Sequence, residues 1–363
     1  MSIYSLRAAS LTRFLDAKLL VEGEGWSAYP YGYDSSKDRI IEPLYTEITG
    51  YGVSMSLWLG RRAEAERLAT FIEKAGAGRG PALYGYYPSK SRWSGRIYVF
   101  DNGVVARSLL QLHRATGNDG FLDHAERILS WIIGMQEPSG WFHAGVTYPD
   151  GLPLSHSEWY GDGGCLHGKL MIPLLDAWRL TGRDEYLDSA TRLMRWLLSL
   201  QHGKGFIEAR PGAGYVFHHA HCYAVEGLLY AWSVLGGDAL FEAVEKAAGW
   251  LAHVQLDDGG IPEKYPYGVR FRVASDATAQ AARIWLLMYR LTGEHYWVER
   301  ALKALDYLAR LPGGGLPAYT TRIGPVSRPS PRTHTWSLMF AVQAFSMAGL
   351  LGGGARDMVE AVF

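Results

Sequence analysis

The 363-residue sequence is poor in cysteine and asparagine, with two of each: Cys165, Cys222, Asn102 and Asn118. Two cysteines exclude a disulfide framework. No run of 18 apolar residues occurs, so no membrane-spanning helix is expected. Neither sign of charge is in excess: 36 basic residues face 36 acidic ones and the pI is near 7.2, which leaves no whole-chain footprint for nucleic acid or an anionic membrane. The N-terminal segment MSIYSLRAASLTRFLDAKLL lacks the apolar core of a secretory signal because Arg7, Arg13, Asp16 and Lys18 interrupt it, so a cytoplasmic protein is expected. No phosphate-binding glycine loop is present, and no nucleotide cofactor is expected. Scarce asparagine is a hot-environment bias, while 27 Arg against 9 Lys fits either that bias or a GC-rich genome.

What is abundant is aromatic and repetitive. Aromatics reach 13% of the chain, with 22 Tyr and 13 Trp. Segments ending at Gly60, Gly117, Gly182, Gly236, Gly293 and Gly349 recur at spacings of 57, 65, 54, 57 and 56 residues, giving six copies. In each, an apolar helix stops at glycine, which supplies a left-handed C-cap, and an amphipathic helix follows. The first-type helices, expected at 97–116, 162–181, 217–235 and 275–292, are apolar nearly all round and read as buried. The second-type helices, such as 183–201 and 294–311, carry a one-sided stripe. The chain opens on an outer-type helix (2–20) and ends on an inner-type one (332–351). The predicted architecture is all-α: a closed (α/α)6 barrel in one domain over residues 1–363. An open solenoid is the alternative.

Polar groups inside apolar inner helices are costly to bury unless they face water or a partner. Counting back 15 residues from each glycine gives Tyr45, Asn102, His167, His221, Thr278 and His334. Beside them stand Glu47, Asp101, Asp162, His218, His219, Asp276 and Gln280. This register places carboxylates and imidazoles at one mouth, near positive helix ends. Asp101, Asp162 and Asp276 serve equally well as helix caps. Arg107, Glu226 and Arg283 lie deeper and read as an internal ion network. Trp and Tyr in the loops before the inner helices, Trp93, Trp159 and Trp336 among the tryptophans near the mouth, offer apolar faces for stacking sugars. Glu263, with Glu208 and His143 in related places, completes the candidates.

The motifs TEITGYG (46–52), FDNGVVARSLLQL (100–112), SDATAQAARIWLLM (275–288) and RTHTWSLMFAVQAF (332–345) resemble the (α/α)6-toroid superfamily of six-hairpin glycosidases, sugar epimerases and polysaccharide lyases. The likeness extends to toroid proteins of polysaccharide gene clusters, to unsaturated-uronyl hydrolases and to N-acylglucosamine 2-epimerases. It implies acid/base residues at inner-helix starts. By position, Asp101 and Asp276 match hydrolase-type acids, whereas His221 and His334 match epimerase-type bases. A second resemblance is to terpenoid cyclases, through the turns QEPSGW, QHGKGF and QLDDGG. YGDGGCLHGKL and HHAHCYAVEGLL are similar to segments of zinc-bearing toroid enzymes, which implies Cys165, His167, His221 and Cys222 as a zinc set.

The reading is a glycoside hydrolase on an oligosaccharide, with no resident cofactor and no nucleic-acid or membrane partner. Asp101, Asp276 and Glu47 are its acid/base groups. Its sugar contacts are His167, Asp162, Asn102, Gln280, His218, Trp93, Tyr45, Trp159, Trp336 and Glu263. An epimerase or lyase with a His or Tyr base is the alternative, followed by a zinc or terpenoid-cyclase-like enzyme and a non-catalytic carbohydrate-binding scaffold.

Overall fold

The structure, a computed structural model, describes residues 2–76, 80–154 and 161–351. Twelve α-helices follow one another among them: α1 (Ile3–Lys18), α2 (Thr46–Trp58), α3 (Arg62–Ala75), α4 (Val99–Thr116), α5 (Asp119–Gly134), α6 (Met171–Thr181), α7 (Asp184–Ser199), α8 (His218–Leu235), α9 (Asp238–Val254), α10 (Ser275–Thr292), α11 (His295–Arg310) and α12 (Thr335–Gly349). Even-numbered helices form the inner ring and odd-numbered ones the outer ring. Each inner helix packs on the next, and α12 packs back on α2 and α1, so the ring closes. The open-solenoid alternative is thereby excluded.

The two helix types differ as their patterns require. Outer helix α11 buries Trp297, Ala301, Ala304, Leu305 and Leu308 on a single face. Inner helix α10 buries every residue from Ser275 to Met288. At the helix ends, Gly117, Gly182 and Gly293 take φ near +70°, which places them in the left-handed region that closes the last turn.

One inner helix departs from expectation. In place of a helix from 162, a 3-10 segment over Cys165–Leu170 leads into α6. Pro173 has no N–H to bond the carbonyl of Lys169, so an α-helix cannot run through this stretch intact. The 3-10 backbone also presses closely on α8: a Cβ on Gly227 would lie 1.9 Å from the carbonyl oxygen of Gly168.

The glutamines of the repeated turns are staples. Gln136, Gln201 and Gln255 each donate Nε2 back to the carbonyl of their own turn, at Gly140, Gly205 and Gly259. Each also donates to a carbonyl of the next outer helix, at Ser189, Ala243 and Arg300. The terpenoid-cyclase-like turns thus lock neighbouring copies together.

The loops before the inner helices are partly strands. Residues 30–34, 39–45, 85–87, 92–93 and 332–334 form a five-stranded antiparallel sheet, while 270–274, 319–323 and 326–329 form a three-stranded one. These small sheets rim the mouth. No helix is long and apolar enough to cross a membrane among the described residues.

Candidate active site

At the inner-helix N-termini lies a cavity of about 380 Å³, within the range of small-molecule sites. Its polar wall is built by one register. The second residue of α2, α4, α8, α10 and α12 is Glu47, Phe100, His219, Asp276 and Trp336, and all five line the cavity. The N-cap residues Tyr45, Phe217, Ala274 and His334 line it as well. Tyr31, Tyr84, Tyr223 and Tyr319 supply further aromatic surface.

The fourth residue of the inner helices has a different task. Thr49, Asn102, His221 and Thr278 each accept a hydrogen bond from a backbone amide of the preceding loop, at Tyr29, Ala82, Ile207 and Ile261. His221 also bonds the carbonyl of Ala247 through Nε2, so both ring nitrogens are engaged by backbone. Burial drives its pKa down to about 3. His221 and Asn102 therefore hold loops, and neither lines the cavity. The expected register failed for a geometric reason. Helices α2 and α12 are shorter than α4, α8 and α10, at 13 and 15 residues against 18, so counting back from glycine slips by about a turn at Tyr45 and His334. Counting forward from the helix start would have found the site.

The remaining expectations divide likewise. Glu47, Asp276, His334, Tyr45, Trp336 and Glu263 do line the cavity. Asp101 lies behind it, accepting from the Tyr45 hydroxyl at 3.3 Å. His218 bonds the carbonyl of Pro262 at 2.6 Å and is fully buried, and His167 is buried edge-on to Phe142. Asp162 accepts from the amide of Ala144, and Glu208 from that of Gly212. His143 pairs with Glu137. Trp93 packs on Phe71 and Tyr86 beside the cavity. Trp159 lies outside the described residues. Cys165 and Cys222 are buried, and burial pushes the Cys165 thiol up to about 12. Among the described residues, no group of three His, Cys, Asp or Glu is close enough to hold a metal, so the expected zinc set is not brought together.

The cavity electrostatics are unusual for so small a space. Burial raises Glu47 to about 7, outweighing the hydroxyls of Tyr45 and Tyr51 and the charge of Lys169. His219 bonds Gln280 Oε1 through Nδ1 at 2.5 Å, with Asp276 Oδ2 3.8 Å away. An amide oxygen accepts, so Nδ1 carries the proton and Nε2 keeps its lone pair. Gln280 thus acts behind the wall. Asp276 accepts from its neighbour's amide and from Trp336 Nε1 at 2.9 Å. His334 stacks on Trp336 at 4.2 Å, and burial takes it down to about 4; burial lowers His219 too. Both imidazoles are neutral at pH 7. Beneath them Lys169 pairs with Glu226 at 2.6 Å, and Glu226 pairs with Arg283 as expected, whereas Arg107, expected in the same network, pairs with Asp176 instead. Burial would raise Glu226, but Arg283 and Lys169 outweigh it and keep it ionised.

No protein-family model matches the sequence, and no curated protein matches it by sequence. Solved structures do match in shape. A sugar epimerase from a ruminal bacterium superposes with TM-score 0.76 at 12% identity, covering 96% of this chain and 99% of its own. Cellobiose 2-epimerase from Bacillus thermoamylovorans gives 0.76 at 12%, covering 93% and 98%. A GH76 α-mannanase from Bacteroides thetaiotaomicron gives 0.67 at 13%, covering 96% and 95%. The fold is the (α/α)6 toroid of these enzymes. In this toroid the inner-helix starts carry the polar cavity described above.

Proposed function

We propose that the protein is a carbohydrate-processing enzyme that moves protons in this cavity, and that the reaction is epimerisation or isomerisation beside a sugar carbonyl. The observation that carries the reading is the pair of neutral imidazoles, His219 and His334, that line one cavity and both lie against Trp336. His219 Nε2 would take the proton from the carbon next to the carbonyl of an open-chain sugar. The C–H electron pair would move into an enediolate. The His219 imidazolium would give the proton back, to the other face of that carbon once the enediolate has turned or to the neighbouring carbon, while neutral His334 hydrogen-bonds the sugar oxygens. Asp276, close to His219, stabilises the imidazolium that forms. Aromatic rings of Tyr31, Tyr45 and Trp336 stack the sugar.

The test is a panel of reducing sugars incubated in D2O and read by mass spectrometry and proton NMR. Deuterium is expected at the carbon beside the carbonyl, with a loss of about 10²–10⁴-fold in His219→Gln. No exchange in any sugar sinks the reading.

One observation favours a second reading, glycoside hydrolysis. A carboxyl with pKa of about 7, such as Glu47, is protonated enough at neutral pH to donate to a leaving oxygen. The other carboxyls that line the cavity are Asp276 and Glu263, and Asp101 is not among them. New reducing ends without deuterium uptake, lost in Glu47→Gln, would select hydrolysis.

A further inference from the structure

Two grooves open from the cavity on opposite sides of the mouth. One is lined by Tyr84, Tyr87, Lys90, Arg92, Trp93 and Arg96, on the strands that lead into α4. The other is lined by Lys264, Tyr267, Arg270, Phe271, Arg272 and Tyr319, on the strands around α10. Tyr84 belongs to both the first groove and the cavity; Tyr319 and Glu263 join the second groove to it. Helices α4 and α10 are three places apart in a six-membered ring, so the three spaces follow one line across the mouth.

The charge along this line is one-sided although the chain as a whole is neutral. Six exposed cations line the two grooves, Lys90, Arg92, Arg96, Lys264, Arg270 and Arg272, against one carboxylate, Glu263. That carboxylate is engaged by Arg272 at 3.4 Å, and the nearby Glu42 is engaged by the amide and hydroxyl of Ser89. Arg92, Lys264 and Arg270 have no acidic partner within salt-bridge distance among the described residues. Aromatic rings lie among the cations: Lys90 sits over Tyr87 at 5.4 Å and Arg272 over Tyr319 at 4.3 Å. Rings take the apolar faces of sugars, while the guanidinium forks take carboxylates or sulfates.

We propose that the substrate is an anionic oligosaccharide, bearing carboxylate or sulfate groups, that runs across the mouth with its acidic residues in the two grooves and one sugar in the cavity. This rests on the reading that the cavity takes a sugar. Stacked rings with cations also suit single-stranded nucleic acid, but a cavity of about 380 Å³ lined by three carboxyls, Glu47, Glu263 and Asp276, and two imidazoles suits sugar hydroxyls better than a phosphodiester.

The experiment is isothermal titration calorimetry of the full chain in 50 mM salt. The ligands are a galacturonate hexamer, a sulfated heparin-derived hexamer, neutral maltohexaose and cellohexaose, and the oligonucleotide dT15. One of the two acidic sugars is expected to bind at least about tenfold more tightly than either neutral one, and most of that gap closes at 0.5 M salt. The double variant Arg92→Gln/Arg270→Gln should close it too, with an unchanged melting temperature because both side chains are exposed and neither has an ion-pair partner among the described residues. Which acidic sugar binds tells carboxylate from sulfate recognition. Equal binding of acidic and neutral sugars, or a preference that survives the double variant, overturns the proposal and leaves the proposed function standing. Tighter binding of dT15 than of every sugar overturns it in favour of nucleic acid. If no sugar of either charge binds, the carbohydrate reading itself falls, and the proposal with it.

Discussion

At the scale of single residues, burial sets the chemistry. Glu47 is 7% exposed and its pKa of about 7 lies well above the 4.5 of a free glutamate. The folded state therefore keeps a proton that the unfolded chain has lost, and stability falls as pH rises from 4.5 to 7, then levels off. Glu47→Gln, which carries no ionisable group, should leave stability unchanged at pH 4 and raise it by about 2–3 kcal/mol at pH 8. Chemical denaturation at the two pH values checks this, and a variant stabilised equally at both would refute the titration argument. The imidazoles work in the opposite direction. His167, His218 and His334 at about 4, and His221 at about 3, are each held neutral by burial. The unfolded chain takes up their protons first, so stability is expected to fall as pH drops from about 6.5 toward 4. His221→Asn should flatten that slope, as read from melting temperatures across the range.

At the scale of elements, four inner helices, α2, α4, α8 and α10, divide their labour within their first turn. The second residue faces the cavity and the fourth holds a loop by its amide. Removing a loop anchor leaves a buried amide unsatisfied, so Thr278→Val should cost about 1–3 kcal/mol with its effect concentrated near Ile261. Amide exchange should locate that loosening at 259–263. Gln201→Ala should loosen the seam between α7 and α9 by a similar amount, since it strips two carbonyls of their donor. The helices, their order and their bounding glycines were legible because amphipathic periodicity and C-cap glycine are local signals. The site was half legible. Glu47, Asp276 and His334, expected at the mouth, line the cavity, since a polar group at the start of an apolar helix is conspicuous. His221 and Asn102 hold loops away from the cavity, and a loop anchor looks like a cavity group in sequence because both are polar residues in an apolar helix. Lys169 escaped notice altogether, since its 3-10 segment belongs to no regular period, and the rim strands are too short to show alternation.

At the scale of the whole molecule, closure makes the ring cooperative. Helix α1 buries Leu11 and Leu15 fully and packs on α12, so the first and last helices share one interface. Leu15→Ala should cost about 2–5 kcal/mol and lower one common transition seen by tryptophan fluorescence and circular dichroism. An early, separate loss of the terminal helices would be the behaviour of an open stack and would contradict closure. The division of α2, α4, α8 and α10 into a second and a fourth residue has a further consequence. The loops are fastened two residues, about half a turn, beyond the residue that meets the cavity, so the facing residues hold none of these loops. The toroid is thereby a socket whose pins are rewired one at a time, and two such chains can share every fastening while agreeing on none of their chemistry.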